Sequence, residues 1–273
     1  MFFFERSGFV SKSSHNMSIT DEKKCFYSQS GEDTRLADIF KGQRLGTCLE
    51  VGALDGVKDS TTYYFEKRGW SCVLVEANPE LAERARENRS AQVFSCAAGD
   101  RTGTMRFLIA EGAEYLSTTV FTKANISKIV ESGAVGKEIT VPVVTVDSIL
   151  SQSGVTTLDF VTVDVEGAEL GVLRGFDLKK WNPRVLVLED NFQGHDRRVR
   201  RYLCSQGYRC FLSDGLNDWY ARTDDNELFT VRRRFAQFRR QFRVRLYEIT
   251  VGLLPLAAQE KLVTWKRRYL GEI

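Results

Sequence analysis

Four short apolar runs of this chain carry a carboxylate at or near their ends. Glu50 lies in Leu-Gly-Thr-Cys-Leu-Glu-Val-Gly-Ala-Leu-Asp-Gly (residues 45–56), Glu76 follows Ser-Cys-Val-Leu-Val, Asp164 follows Phe-Val-Thr-Val, and Glu189 follows Val-Leu-Val-Leu. An acid closing a strand stands beside the crevice where open α/β sheets bind ligands, and there it can accept hydrogen bonds from both hydroxyls of a ribose. Gly52 and Gly56, at the turn after the first run, let a ligand approach the backbone. A nucleoside site is the reading. A pyrophosphate would want Gly-x-Gly-x-x-Gly at the helix start, whereas the chain has Gly52-Ala-Leu-Asp55-Gly56, and Glu50 and Asp55 would repel a phosphate. Those acids suit a ligand bearing an ammonium and a sulfonium, and S-adenosylmethionine is that ligand. Its ammonium can pair with Glu50 and Asp55, its ribose can rest on Glu76 with Ala77 beside it, and its adenine can lie near Asp100 beyond the third strand.

Transfer of a methyl group from a sulfonium is an in-line displacement that positioning and a water-poor site accelerate. A hydroxyl acceptor also needs a group to take its proton. Asp164, Glu166, Glu189, Asp190 and His195 are the candidates, and the sequence leaves the choice open. Glu166 and Glu169, three apart, share one side of a starting helix, where the helix dipole alone would favour them as caps. Gln29, Glu32 and Asp33 could reach cofactor or acceptor, although helix capping explains Asp33 equally well.

These residues need a frame, and the patterning supplies one. Apolar runs at 46–51, 71–76, 92–97, 158–164 and 184–189 alternate with helical patterns at about 59–68, 79–89, 167–175 and 196–206. Such alternation demands a parallel sheet with helices on its faces. A first helix is expected from Ser30, capped by Ser30 with Asp33, and ending at Gly42. Strands at 104–109 and 138–146 bracket a polar stretch, 111–137, that reads as a substrate loop, and strands near 208–213 and 217–222 complete the sheet. The predicted fold is α/β, a doubly wound, mostly parallel seven-stranded sheet, with a basic amphipathic helix at the C-terminus.

Composition agrees with a globular enzyme. The 273 residues are 42% hydrophobic and 27% charged, enough to bury a full core, and the formal charge of +3 gives no ground for a nucleic-acid partner. The division expected is an arm over 1–26, an α/β domain over 27–223 and a helical extension over 224–273. Cys25, Cys48, Cys72, Cys96, Cys204 and Cys210 contain no Cys-x-x-Cys pair, so they read as free thiols in a reducing cytoplasm, and no metal is expected. Met-Phe-Phe-Phe is interrupted by Glu5 and Arg6, and no run of about 18 apolar residues appears, so neither secretion nor a membrane span is expected. From Val231 apolar residues recur at 235, 238, 242, 246, 249 and 253 amid seven arginines. Such a helix can pack on the domain, dimerise through 231–253, or lie on an anionic membrane at the inner face.

The motifs, in order, resemble class I methyltransferases and, within them, the FkbM family. Tyr27-x-Gln29-x-x-Glu32-Asp33 precedes the first strand, Glu50-Val-Gly52-Ala-Leu-Asp55-Gly56 follows, and Ser60-Thr61 matches a downstream Ser-Thr element. Glu76-x-Asn78-Pro79 and Asp164-x-Glu166-Gly167-x-Glu169 complete the series, with Glu50 standing where a typical member has Asp. The resemblance spans about 27–222. It implies a Rossmann-like fold, S-adenosylmethionine as cofactor, Ser60 among the cofactor residues, and O-methylation of a hydroxyl on a sugar, glycolipid, polysaccharide or secondary metabolite. A catalytically silent methyltransferase-like module and an NAD-dependent oxidoreductase are the competing readings; the second lacks its third glycine.

Overall fold

The computed structural model describes residues 26–190 and 197–230. The arm up to residue 25, His195 with its loop, and the basic segment from Val231 onward lie outside the described residues. The strands of the main sheet are β1 (Thr47–Val51), β2 (Ser71–Glu76), β3 (Gln92–Ser95), β7 (Phe160–Val163), β8 (Val185–Glu189), β9 (Tyr208–Ser213) and β10 (Asn217–Arg222). Their order is β3-β2-β1-β7-β8-β10-β9. The pairs from β3 through β8 are parallel, and β10 runs antiparallel to both neighbours.

Burial on both faces explains the near-continuous apolar runs that mark these strands. On one face, Leu36 and Ile39 of α1 (Glu32–Ile39) and Tyr64 and Phe65 of α2 (Tyr63–Glu66) pack on Cys48, Cys72, Phe160, Val187 and Trp219. Ala85 of α3 (Pro79–Asn88) joins them over Leu74. On the other face, α5 (Val146–Ser153), α6 (Glu169–Arg174), α7 (Leu178–Trp181) and α8 (Arg198–Ser205) cover Leu49, Val73, Val161 and Leu186. The thiols of Cys48 and Cys72, buried on adjacent strands, lie 3.0 Å apart as free cysteines.

Residues 97–144 leave this sheet and build a second one. β4 (Ala97–Ala98), β5 (Gly103–Glu111) and β6 (Val135–Val144) form a three-stranded sheet in the order β4-β6-β5, with β5 and β6 antiparallel. Its core, Ala97, Phe107, Ile109, Val141 and Val143, packs toward Ala77. The polar stretch read as a substrate loop holds a 3-10 turn (Glu114–Leu116) and a helix, α4 (Lys123–Glu131). Thr122 caps that helix by accepting from Asn125 N–H at 3.2 Å.

Two other local expectations are corrected. α1 begins at Glu32 behind a left-handed Gly31, with no side-chain cap from Ser30. Glu32 accepts the Ser30 N–H, while Asp33 turns back to accept from Tyr27 N–H, Ser28 N–H and Ser28 Oγ. Asp33 thus ties down the segment before the helix, which explains how an acid can be fully buried there. α5 went unread because Val146 continues the apolar pattern of β6; its start is marked by Thr145, whose hydroxyl accepts from Ser148 N–H at 3.2 Å.

The two sheets meet where Gly175, after α6, abuts Gly99, after β4. A Cβ on Gly175 would come within 2.0 Å of the Gly99 carbonyl oxygen, which is backbone and cannot swing away. Gly175→Ala is expected to lower unfolding free energy by about 1–3 kcal/mol, read as a lower urea midpoint at unchanged slope.

Candidate active site

The parallel register puts the ends of β1, β2 and β7 level, with Val51 opposite both Val75 and Val163. Gly52, Glu76 and Asp164 therefore emerge side by side. Gly52 has φ +91°, and its N–H and that of Ala53 both donate to the Val75 carbonyl, at 2.9 and 3.2 Å. A Cβ at Gly52 would stand 1.9 Å from the Asp164 carbonyl oxygen. Here glycine is required twice, by backbone conformation and by the neighbouring strand.

The turn then folds over the acid of the next strand. Leu54, itself at φ 50°, donates its N–H to Glu76 Oε2 at 2.8 Å, and Asn78 N–H donates to Oε1 at 2.8 Å. Asn78 in turn caps α3, accepting from Glu80 N–H at 3.0 Å ahead of Pro79. The Glu76 carboxyl is thus fixed in orientation while buried. Lost hydration raises it to about 7, against the lowering effect of those N–H donors. Each oxygen keeps acceptor capacity for a hydroxyl.

Glu50 serves a closed network. Oε1 accepts from Thr61 N–H at 2.7 Å, and Oε2 from Ser60 Oγ and Thr62 Oγ1 at 2.8 and 2.6 Å. Arg89, the residue that caps the C-terminal end of α3, has a fully buried side chain that bonds Glu66 at 2.7 Å and reaches the hydroxyls of Ser60 and Thr62, each at 3.1 Å. Burial raises the Glu50 carboxyl, and Arg89 with the three donors opposes it. Asp55 Oδ1 accepts from Val57 N–H and Lys58 N–H, closing the turn after Gly52. Gly56, at φ +80°, lies under Arg89 and Ala85. Glu50, Asp55, Gly56 and Ser60, read from sequence as cofactor residues, shape the loop after β1, and Glu50 also lines the second recess described below.

Asp164 anchors a second group of acids. Carboxylate oxygens of Asp164, Glu166 and Glu189 lie within 4.8 Å of one another, a spacing that could hold a cation although the sequence predicted no metal. Asp164 and Glu189 stand close enough for each to influence the other's ionisation. Asp164 is exposed by area but opens into two recesses walled by protein, so lost hydration raises its carboxyl; the Glu189 carboxyl is pushed well up by burial and then by the negative charge of Asp164. Glu169 accepts the Gly167 N–H at 2.9 Å and is raised to about 7, chiefly by burial.

The motif around these acids is strained and held from outside. Glu166 has φ 52° and Gly167 φ 101°. The Glu166 carbonyl accepts from Thr118 Oγ1 and Asn125 Nδ2, both at 3.0 Å, and its carboxylate meets Lys128 Nζ at 3.2 Å. All three partners belong to the segment between β5 and β6. Their polarity alone gave no signal in the sequence, because the pairing joins positions about forty residues apart.

Two recesses flank Gly52 and Asp164. A cavity of about 80 Å³ runs past Glu76, Ala77, Cys96, Ala98, Phe107 and Tyr115. A second, of about 90 Å³, is walled by Gln29, Glu32, Asp59, Thr162, Glu189 and Asn217. Asp100 is exposed and outside both linings; the chain beyond the third strand contributes Cys96–Ala98 instead, because it turns away into β4. Asn217 Nδ2 donates to Glu32 Oε1 at 2.7 Å, drawing α1 and β10 together at the rim. His195 lies outside the described residues.

A seven-stranded sheet in this order, a glycine turn facing a strand-end acid, and a crevice shared by both define a nucleoside-cofactor enzyme of the class I methyltransferase type. The family model described as the methyltransferase FkbM domain matches residues 50–210, and the chain belongs to that family. It is an S-adenosylmethionine-dependent methyltransferase. No curated protein is recognisably similar to it in sequence. Among solved structures, the METTL16 methyltransferase domain is 14% identical at TM-score 0.37, covering 69% of this chain and 64% of that one, so the chain spans less than two thirds of that domain. TrmK of M. capricolum, solved with S-adenosylhomocysteine, is 10% identical at TM-score 0.37, covering 89% and 98%. The O-methyltransferase TomG from Streptomyces achromogenes, solved with its cofactor, is 13% identical at TM-score 0.35, covering 69% and 77%.

The residues present fit that cofactor. Glu76 offers two oriented oxygens to the ribose, Cys96–Ala98 and Phe107 make an apolar slot for the adenine, and the acidic second recess suits the ammonium. Gly52→Ala should abolish S-adenosylhomocysteine binding in calorimetry, and Glu76→Gln should weaken it at least about tenfold, the loss of one charge-assisted contact.

Stability should respond to pH in an unusual direction. Glu76 and Glu169 hold protons in the folded chain up to about 7, whereas the unfolded chain releases them near 4.5. Their contribution to stability is therefore full at low pH and is lost as pH rises through that window. Urea titrations at about pH 5 and about pH 8 should show this fall, and Glu169→Gln should reduce it by about 2–3 kcal/mol.

Proposed function

We propose that the chain transfers the methyl group of S-adenosylmethionine to a hydroxyl of a sugar, glycolipid or secondary metabolite. The observation that carries this reading is the placement of Asp164 on the wall common to both recesses, with Glu189 beside it in the second, so that a carboxylate can take a proton where cofactor and acceptor meet. The bound cofactor supplies an electrophilic methyl on a sulfonium. With an acceptor hydroxyl held beside that methyl, the Asp164 carboxylate would take the hydroxyl proton as the methyl is transferred. Glu189, protonated beside it, donates to Asp164 and keeps the pair from carrying two negative charges. Glu166 and Glu169 stand behind this pair.

The sugar reading draws on the mouth of the cofactor recess. Tyr115 presents a ring that is 53% exposed there, with Ser117 and Thr119 beside it. An aromatic face flanked by hydroxyl groups suits a ring molecule that is apolar on one side and polar at its edge. The buried free thiols Cys48, Cys72 and Cys96 favour a reducing compartment, so the reaction is assigned to the cytoplasm. No helix among the described residues is long and apolar enough to cross a membrane.

Screening hydroxyl-bearing sugars and metabolites for cofactor-dependent release of S-adenosylhomocysteine should find an acceptor. With that acceptor, Asp164→Asn and Glu189→Gln should each lower turnover by about 10²- to 10⁴-fold, the usual worth of a positioned proton acceptor, while still binding S-adenosylhomocysteine. Undiminished turnover in both variants would remove the pair from the mechanism.

A further inference from the structure

Thr162 is the one polar residue of β7, Phe-Val-Thr-Val, and its hydroxyl is buried without a hydrogen-bond partner. The residue is 7% exposed. Strand pairing explains why its neighbours leave it unsatisfied. Thr162 lies level with Glu50 on β1 and Val187 on β8; Glu50 takes its donors from residues 60–62, and valine offers no polar side-chain atom. Alternation along β7 sends Val161 and Val163 to the face covered by α5 and α6, and Phe160, with it Thr162, to the face of α1. There Thr162 lines the second recess, with Asp164 two residues further along the same face. A valine would fill the same place without orphaning a polar group, so packing gives no reason for the hydroxyl. The recess does. Carboxyl groups of Glu32, Glu50, Asp59, Asp164 and Glu189 line it, and among the described residues no lysine, arginine or histidine joins them. Such a wall attracts an ammonium and repels a carboxylate.

We propose that Thr162 is a specificity residue for the cofactor, its hydroxyl accepting an N–H of the S-adenosylmethionine ammonium in the second recess. The acids attract that charge from many directions. A hydroxyl on a β-branched side chain, stiff about its first torsion, accepts from few, and so fixes where the nitrogen comes to rest. Nitrogen and sulfur of the methionine half are joined through a short carbon chain, so fixing the one restricts where the other can stand relative to Asp164. Adenosine compounds that lack the amino-acid half gain nothing from this contact. The role belongs to cofactor binding and holds for any acceptor.

Calorimetry on the full chain with a graded set of ligands tests this. S-adenosylhomocysteine carries both ammonium and carboxylate, its decarboxylated analogue the ammonium alone, and methylthioadenosine neither. Thr162→Val should weaken binding of the first two by about 10- to 100-fold, the worth of a hydrogen bond to a charged group, and leave methylthioadenosine within about twofold. Thr162→Ser, which keeps the hydroxyl, should restore most of the lost affinity. The urea midpoint of Thr162→Val should equal or exceed that of the unaltered protein, because the substitution removes an orphaned polar group. Affinities unchanged for all of the ligands would overturn the role given to Thr162. An equal loss for methylthioadenosine would overturn it as well, since the variant would then have distorted the whole site. A loss confined to S-adenosylhomocysteine would assign the hydroxyl to the carboxylate and overturn the ammonium contact, and a lowered urea midpoint would assign it to the fold.

Discussion

The site depends on one close approach: the backbone of Gly52 against the carbonyl oxygen of Asp164. Parallel pairing brings the ends of β1 and β7 level, and the absence of a Cβ at Gly52 lets the turn cross that end at a distance no other residue permits. Because the turn crosses there, Leu54 N–H reaches Glu76 on the opposite neighbour, and the acid of β2 is aimed into the crevice. Glu76 and Asp164 are both positioned by this crossing. The Glu50 network acts behind it, locking residues 60–62 and, through Arg89, α3 against the turn.

A second constraint is electrostatic. Asp164, Glu166, Glu169 and Glu189 converge at strand and helix ends, where full ionisation would cost more than the fold could sustain. The chain answers with raised carboxyls and with Lys128, brought in from a distant segment. The strained conformation of Glu166, at φ 52°, persists because Thr118 and Asn125 hold its carbonyl. What reads in sequence as a polar gap between two strands is thus the brace of the most acidic motif in the chain.

Much of this frame was legible in the residues. The alternation of apolar runs with helical patterns led to the mixed sheet, the strands at 208–213 and 217–222 fell where expected, and the order of glycines and acids led to a sulfonium cofactor and then to a family. The roles within the site were less legible. Glu50 and Asp55 were expected to meet the ammonium; Glu50 lines the second recess while also accepting from Ser60, Thr61 and Thr62, and Asp55 accepts from Val57 and Lys58. Sequence reports that a carboxylate is present near a ligand; it does not report which donors have already claimed it.

The sequence by itself determined the class of fold, the cofactor and the strand-end acids, because hydrophobic period, glycine placement and residue type are local properties. Only the tertiary structure decided which acids face the crevice, that Asp164 and Glu189 come within reach of each other, and that Lys128 stands over Glu166. Those outcomes rest on distances between elements far apart in the chain, and on burial, which no single segment carries within itself.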